Sequence, residues 1–280
     1  MRLRSLDHNG MYNMFAADVA AFTAEVAAHP SLRALSMSRV TLRADVAALD
    51  AVVDAALTLR LARPELYDCG LRPAFAGALH LLLSGDALRE LTLWRSGPPL
   101  ATPAPSGPTA VPFSAAAAAL DAHAVTLLAD ALQSNRTLTT LCISAPGLWR
   151  DVDAAALLLQ ALVGHASLTR IDLRHNAVGH AAAAAIGALL GELVAADSSL
   201  RVLNVSFNRL GAAGLGPLLD ALPQNTHLRE LHIEDTDALD AAFVSGRLMP
   251  ALVANTSLQT LCSGIFAADT FIAARHCRKL

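Results

Sequence analysis

Four kinds of residue are scarce in this 280-residue chain, and each scarcity closes off a class of function. Lysine is nearly absent: 20 of the 21 basic residues are arginine, and the single lysine is Lys279. No lysine in the body of the chain can form a Schiff base, close a P-loop or pair with a nucleotide phosphate on a kinase-type strand. Aromatic residues make up only 4%, too few for most aromatic-rich β-sandwiches. Charged residues are 16%, with a formal net charge of −3 and a pI near 6.3, a balance that argues against a dominant nucleic-acid binder. The four cysteines, Cys69, Cys142, Cys262 and Cys277, are widely spaced with no Cys-x-x-Cys, which points away from a disulfide framework and toward a reducing compartment.

Long hydrophobic runs are also missing. The most apolar stretch, residues 181–196, is mostly alanine and contains Glu192, so no membrane span is expected. Gly187 and Gly191 make a small-xxx-small pair there, best explained by close packing of a soluble helix. The N-terminus has no apolar signal core, and Asp7, Asp18 and Glu25 oppose a transit-peptide reading. The expected setting is intracellular, most simply the cytoplasm. No His-Glu-x-x-His, nucleotide-binding glycine motif or nucleophile elbow is present, so neither metal nor cofactor is expected. Cys277-Arg-Lys-Leu280 departs from a prenylation box at both central positions and reads as a basic tail.

What the chain has in abundance is alanine (58 residues) and leucine (50), and the leucines are periodic. The pattern Leu-x-x-Leu-x-Leu is clearest at Leu200, Leu203 and Val205, followed by Asn208 and Leu210. It recurs at Leu168-Ile171-Leu173 (with Asn176), Leu228-Leu231-Ile233, Leu138-Leu141-Ile143, Leu88-Leu91-Leu93 and Leu32-Leu35-Met37. Weaker copies are read at Ala56-Leu59-Leu61 and Leu258-Leu261-Ser263. The first positions fall at 32, 56, 88, 138, 168, 200, 228 and 258, a period near 30 residues with one longer gap. Small polar residues recur just upstream of the first leucine, as Asn135, Asn225, Asn255, Ser31, Ser167 and Ser199.

A fixed period of this length means a stacked solenoid. On these residues the chain resembles the leucine-rich repeat family, in its ribonuclease-inhibitor-like class. The resemblance implies an α/β horseshoe with parallel strands on the concave face and helices on the convex face. In each unit a short strand turns leucine inward and polar residues outward. An alanine-rich helix then returns, as at 151–163, 181–196, 214–222 and 239–253. The expected organisation is an N-terminal capping helix in 1–30, repeat units in 31–96, a proline-rich insertion in 97–113, further units in 114–263, and a C-terminal cap with a basic tail in 264–280. The insertion holds six of the 13 prolines between Gly97 and Pro112 and reads as an extended surface loop.

Residues between the strand leucines are expected on the concave face. They run from basic, Arg39, Arg60, Arg63, Arg89 and Arg95 with Trp94, through a mixed centre, Asp172, Arg174, His175, Asn204 and Phe207, to acidic, Glu230, His232, Glu234 and Asp235. Exposed aromatics beside arginine are the composition of a protein-binding hot spot. The expected function is a non-catalytic, monomeric scaffold that binds a protein partner on this face. The resemblance admits two alternatives, a GTPase regulator similar to Ran GTPase-activating proteins and a ligand-sensing repeat module.

Overall fold

A computed structural model of the chain describes residues 5–9, 13–14, 21, 24–26, 28–38, 41–42, 57, 59–67, 74–94, 122–144, 148–149, 151–176, 178–196, 199–234, 239–265 and 272. The strands are β1 (Ser5–Asn9), β2 (Asn13–Met14), β3 (Ala34–Ser38), β4 (Thr41–Leu42), β5 (Arg63–Tyr67), β6 (Glu90–Trp94), β7 (Thr140–Ser144), β8 (Arg170–Asp172), β9 (Val202–Asn204), β10 (Glu230–His232) and β11 (Thr260–Cys262). The helices are α1 (Ala74–Ser84), α2 (Ala122–Ser134), α3 (Val152–Leu162), α4 (Ala183–Ala196) and α5 (Gly211–Ala221). The last return is helical over Ala241–Phe243, a π turn over Val244–Leu248 and helical again over Met249–Ala254.

Among the described residues, nine strands form one parallel sheet in the order β1-β3-β5-β6-β7-β8-β9-β10-β11, and β2 pairs separately with β4. Sheet order follows chain order, so each unit lies on the one before it. The fold is a leucine-rich repeat solenoid. The repeat leucines and isoleucines at 138, 141, 143, 168, 171, 173, 200, 203, 228 and 231 are completely buried. Burying one such side chain contributes about 1.5–3 kcal/mol, and stacking spreads that gain along the whole sheet.

The polar residues upstream of each first leucine tie neighbouring units together. Asn135 accepts the N–H groups of Thr137 and Leu138 on its side-chain oxygen and donates to the Leu83 carbonyl one unit back. Asn225 and Asn255 repeat the arrangement toward Val194 and Leu222. The hydroxyls of Thr137, Ser167 and Ser199 donate to the carbonyls of Leu88, Leu138 and Leu168. Backbone groups that leave the helices are thereby satisfied without water.

Close approach of α4 and α5 requires the glycines. A Cβ at Gly187 would strike the Gly214 backbone, and one at Gly191 would lie 2.8 Å from the Pro217 carbonyl oxygen. The small-xxx-small pair is thus a helix–helix contact within the solenoid. No helix among the described residues is long and apolar enough to cross a membrane.

Three expectations need correction. The ladder begins earlier than Ser31: β1 pairs with β3, setting Leu6 opposite Leu35 and His8 opposite Met37, and Met14 lies in β2. Residues 1–30 are therefore more than a capping helix. The second unit is also shifted. Pro64 pairs with Leu35 and Leu66 with Met37, which makes Leu61, Pro64 and Leu66 the repeat positions rather than Ala56, Leu59 and Leu61. Proline cannot donate to a ladder. Accordingly the β5–β6 pairing starts only at Glu65, two residues later than in the pairs β3–β5 and β6–β7. Finally, the return expected at 239–253 is interrupted by a π turn. The insertion at 97–113 and nearly all of the C-terminal cap lie outside the described residues, apart from the buried Ile272.

Candidate functional site: an aromatic rim on the concave face

Local sequence explains how the strand ends in the middle of the sheet present their side chains. Strands β8 and β9 stop at Asp172 and Asn204, the same position of consecutive units. Each side chain accepts the backbone N–H two residues on, Arg174 to Asp172 Oδ1 at 3.2 Å and Ser206 to Asn204 Oδ1 at 3.0 Å. These are Asx turns, which bend the chain off the sheet. The next residues, His175 and Phe207, take left-handed backbone conformations with φ of 61° and 59°. For non-glycine residues this conformation stores strain, and strain of this kind clusters at functional sites.

Asn176 and Asn208 then turn inward and are fully satisfied. Asn176 donates to the Ile143 and Leu173 carbonyls, and Asn208 to those of Leu173 and Val205. The Asn208 side-chain oxygen accepts from Asn176 N–H at 2.9 Å and from the indole of buried Trp149 at 3.1 Å. Unit four has Pro146 where the next two units have this asparagine, and Trp149 supplies a hydrogen-bond donor from that turn.

The result is a row of touching side chains. The His175 and Phe207 rings stack with centroids 4.4 Å apart and planes at 10°. Trp94 meets His175 edge-on at 5.7 Å, and the Arg174 guanidinium lies 4.5 Å from the Trp94 ring centroid. Trp94 and Arg174 are two strands apart, with Ser144 between them in register. Serine is small enough for the larger side chains to meet over it, and Ser144 is almost completely buried. Phe207 remains 37% exposed, His175 is exposed, and Trp94 and Arg174 are half-buried. Arg174 also pairs with the buried Asp172 at 3.2 Å.

Of the residues singled out in sequence, the structure brings together Trp94, Arg174, His175 and Phe207, with Asp172 and Asn204 beneath them. Glu230, His232 and Glu234 lie on or just past β10, with His232 Nε2 3.8 Å from Glu230. Arg39, Arg95 and Asp235 lie outside the described residues. The expected basic pole is not a free one. Arg63 pairs with Glu90 at 3.0 Å, and Arg60, which precedes β5, pairs with Asp86 at 2.9 Å. Arg89 precedes β6 and donates to the Asp86 and Leu88 carbonyls, so Arg60 and Arg89 do not share the outward position of Trp94.

Sequence reasoning missed Arg170, an exposed residue on the same strand as Asp172. It occupies the first outward position of its unit, and a complete column reading would have found it. Cys142, in the column of Asp172, has its thiol pushed up to about 12, mainly by burial and then by the Asp172 carboxylate. It is not a nucleophile at neutral pH.

The family description "Leucine Rich repeat" matches residues 196–219, the unit that contains β9 and most of α5. No curated protein matches the chain. Among solved structures the chain is similar to one titled "Leiomodin-1 Actin-Binding Site 2 (ABS2)", at 20% identity and a TM-score of 0.40, over 49% of this chain and 80% of that one.

Proposed function

We propose that this chain is a non-catalytic protein-binding module that engages its partner through the rim formed by Trp94, Arg174, His175 and Phe207. One observation carries the reading: in a chain with 4% aromatics, three aromatic or imidazole rings and a guanidinium converge at the C-terminal ends of central strands, with His175 and Phe207 held by strained backbone. Tryptophan and arginine are the residues that dominate protein–protein binding energy. Stacked rings present large rigid area with little entropy to lose on binding. A parallel sheet whose helices lie on one side leaves its other side available for such contacts. The module acts as a monomer in the cytoplasm, a reducing setting that suits its buried Cys142 thiol.

The test is quantitative affinity purification from native cells with the wild-type chain and Phe207→Ala. A set of proteins retained by the wild type and lost by the variant, with the variant still folded at the temperature of the assay, supports the reading. An unchanged set overturns it. A small GTPase as the main protein lost would select the GTPase-regulator alternative over the scaffold.

A further inference from the structure

Resting on the rim as the binding surface, we infer the chemistry of the segment it receives: a linear stretch of a partner protein with an apolar anchor for the aromatic row and a carboxylate a few residues away. Several arginines on or beside the outward face are already satisfied. Arg63 is tied to Glu90 and Arg174 to Asp172. The guanidinium groups of Arg33 and Arg89 donate to backbone carbonyls just upstream of their strands, and that of Arg229 to the Ser257 carbonyl of the next unit. Arg170 differs: it is exposed and makes no ion pair or side-chain hydrogen bond among the described residues.

Its neighbours in register are Thr140 on β7 and Val202 on β9, neither of them charged. The nearest acids of the same column, Glu90 and Glu230, are each two strands away, about 10 Å at ordinary strand spacing, and Glu90 is held by Arg63. Asp172, two residues along the same face, is buried and neutralised by Arg174. A carboxylate arriving at Arg170 therefore meets an unopposed cation that can bind it through two parallel hydrogen bonds.

Arg170 and Arg174 are four residues apart, at most about 13 Å, because the Asx turn at Asp172 bends the chain after the strand. An extended segment of four or five residues spans from that cation to the aromatic row. At the far end Glu234 stands half-exposed one strand beyond Phe207, and its backbone N–H is held by the Ser206 hydroxyl. Its like charge disfavours an acid placed across the strands beyond Phe207 and favours one at the Arg170 end.

The experiment is selection of a random dodecapeptide phage library on the full chain, on Arg170→Glu and on Phe207→Ala, with melting temperatures measured on all three. The expected wild-type pool is enriched in peptides with an aromatic residue or leucine and an Asp or Glu three to five positions away. Arg170→Glu keeps the anchor, loses the acid and gains Lys or Arg there, while Phe207→Ala reduces recovery at least tenfold. A pool with the anchor but no acid, or acids that persist in Arg170→Glu, overturns the inference and leaves the rim as the binding surface. Uncharged proline-rich peptides like residues 97–112 also overturn it, in favour of a second copy of this chain. Equal recovery on Phe207→Ala overturns the rim itself, and no wild-type enrichment overturns a linear segment as occupant.

Discussion

Trp149 and Asn208 are 59 residues apart in sequence and joined by a buried hydrogen bond, indole N–H to amide oxygen at 3.1 Å. The bond crosses from the turn of the fourth recognised unit to that of the sixth. It completes an acceptor that also holds Asn176 N–H, so three turns share one oxygen.

Replacing Trp149 by Phe should keep most of the apolar volume and leave Asn208 with one donor fewer. Losing a buried hydrogen bond of this kind costs about 1–3 kcal/mol. Asn208→Ala should cost more, because it strips partners from Asn176 and from the Leu173 and Val205 carbonyls together. Urea denaturation of both variants checks the order. Equal stability of Trp149→Phe and wild type would show that the indole bond contributes nothing.

Much of the fold was legible because the copies at Leu168, Leu200 and Leu228 keep strand, turn and helix in one register. Where that register failed, a residue's chemistry hid its position. Pro64 stands inward in β5 although proline is foreign to central strands, and His8 takes the place of an apolar residue in β1. The rim was half legible. Trp94, Arg174, His175 and Phe207 were recognisable one by one, but their meeting depends on Ser144 being small and on the Asx turns at Asp172 and Asn204. Those relations cross units and are invisible to a pattern read within each. The basic pole was misread because arginine at Arg60 and Arg89 serves neighbouring turns, a use that sequence does not distinguish from ligand binding.

Two glycine substitutions should move stability in opposite directions. Gly187→Ala forces α4 away from the Gly214 backbone, and overpacking of this kind costs about 1–3 kcal/mol. Gly77 lies inside α1 with nothing within 4 Å of an added Cβ, so Gly77→Ala should stabilise by roughly 0.5–1 kcal/mol through helix propensity. Thermal melts of the pair decide the point. A harmless Gly187→Ala would mean that α4 and α5 sit too far apart for an added Cβ to reach the Gly214 backbone.

Cys142 should resist alkylation while the chain is folded. Its thiol, normally near 9, is held protonated up to about 12. The unfolded chain loses this proton first as pH rises, so the contribution to stability is complete below about 9 and declines from there through about 12. Iodoacetamide labelling at pH 8, read by peptide mass spectrometry, should leave Cys142 unmodified until denaturant is added. Prompt labelling in the native state would show that the thiol is neither buried nor protonated.

The sharpest separation of stability from function lies at Phe207. Its left-handed backbone, φ 59°, carries a strain of about 1–2 kcal/mol for a residue with a side chain, which glycine escapes. Phe207→Gly relieves that strain, loses the stack on His175, and gives the unfolded chain more freedom. These effects nearly cancel, so the melting temperature should change by no more than a few degrees. Phe207→Ala keeps the strain and loses the same stack, and it should melt below Phe207→Gly. Binding should fall equally in both, by the 2 kcal/mol or more typical of a hot spot, because each removes the exposed ring. Paired melting and affinity measurements on the two variants test this. If Phe207→Gly melts far below Phe207→Ala, the left-handed backbone stores no strain and is no mark of function, and if both melt far below the wild type the ring is a core element. If both variants bind normally, the rim is not where the partner sits.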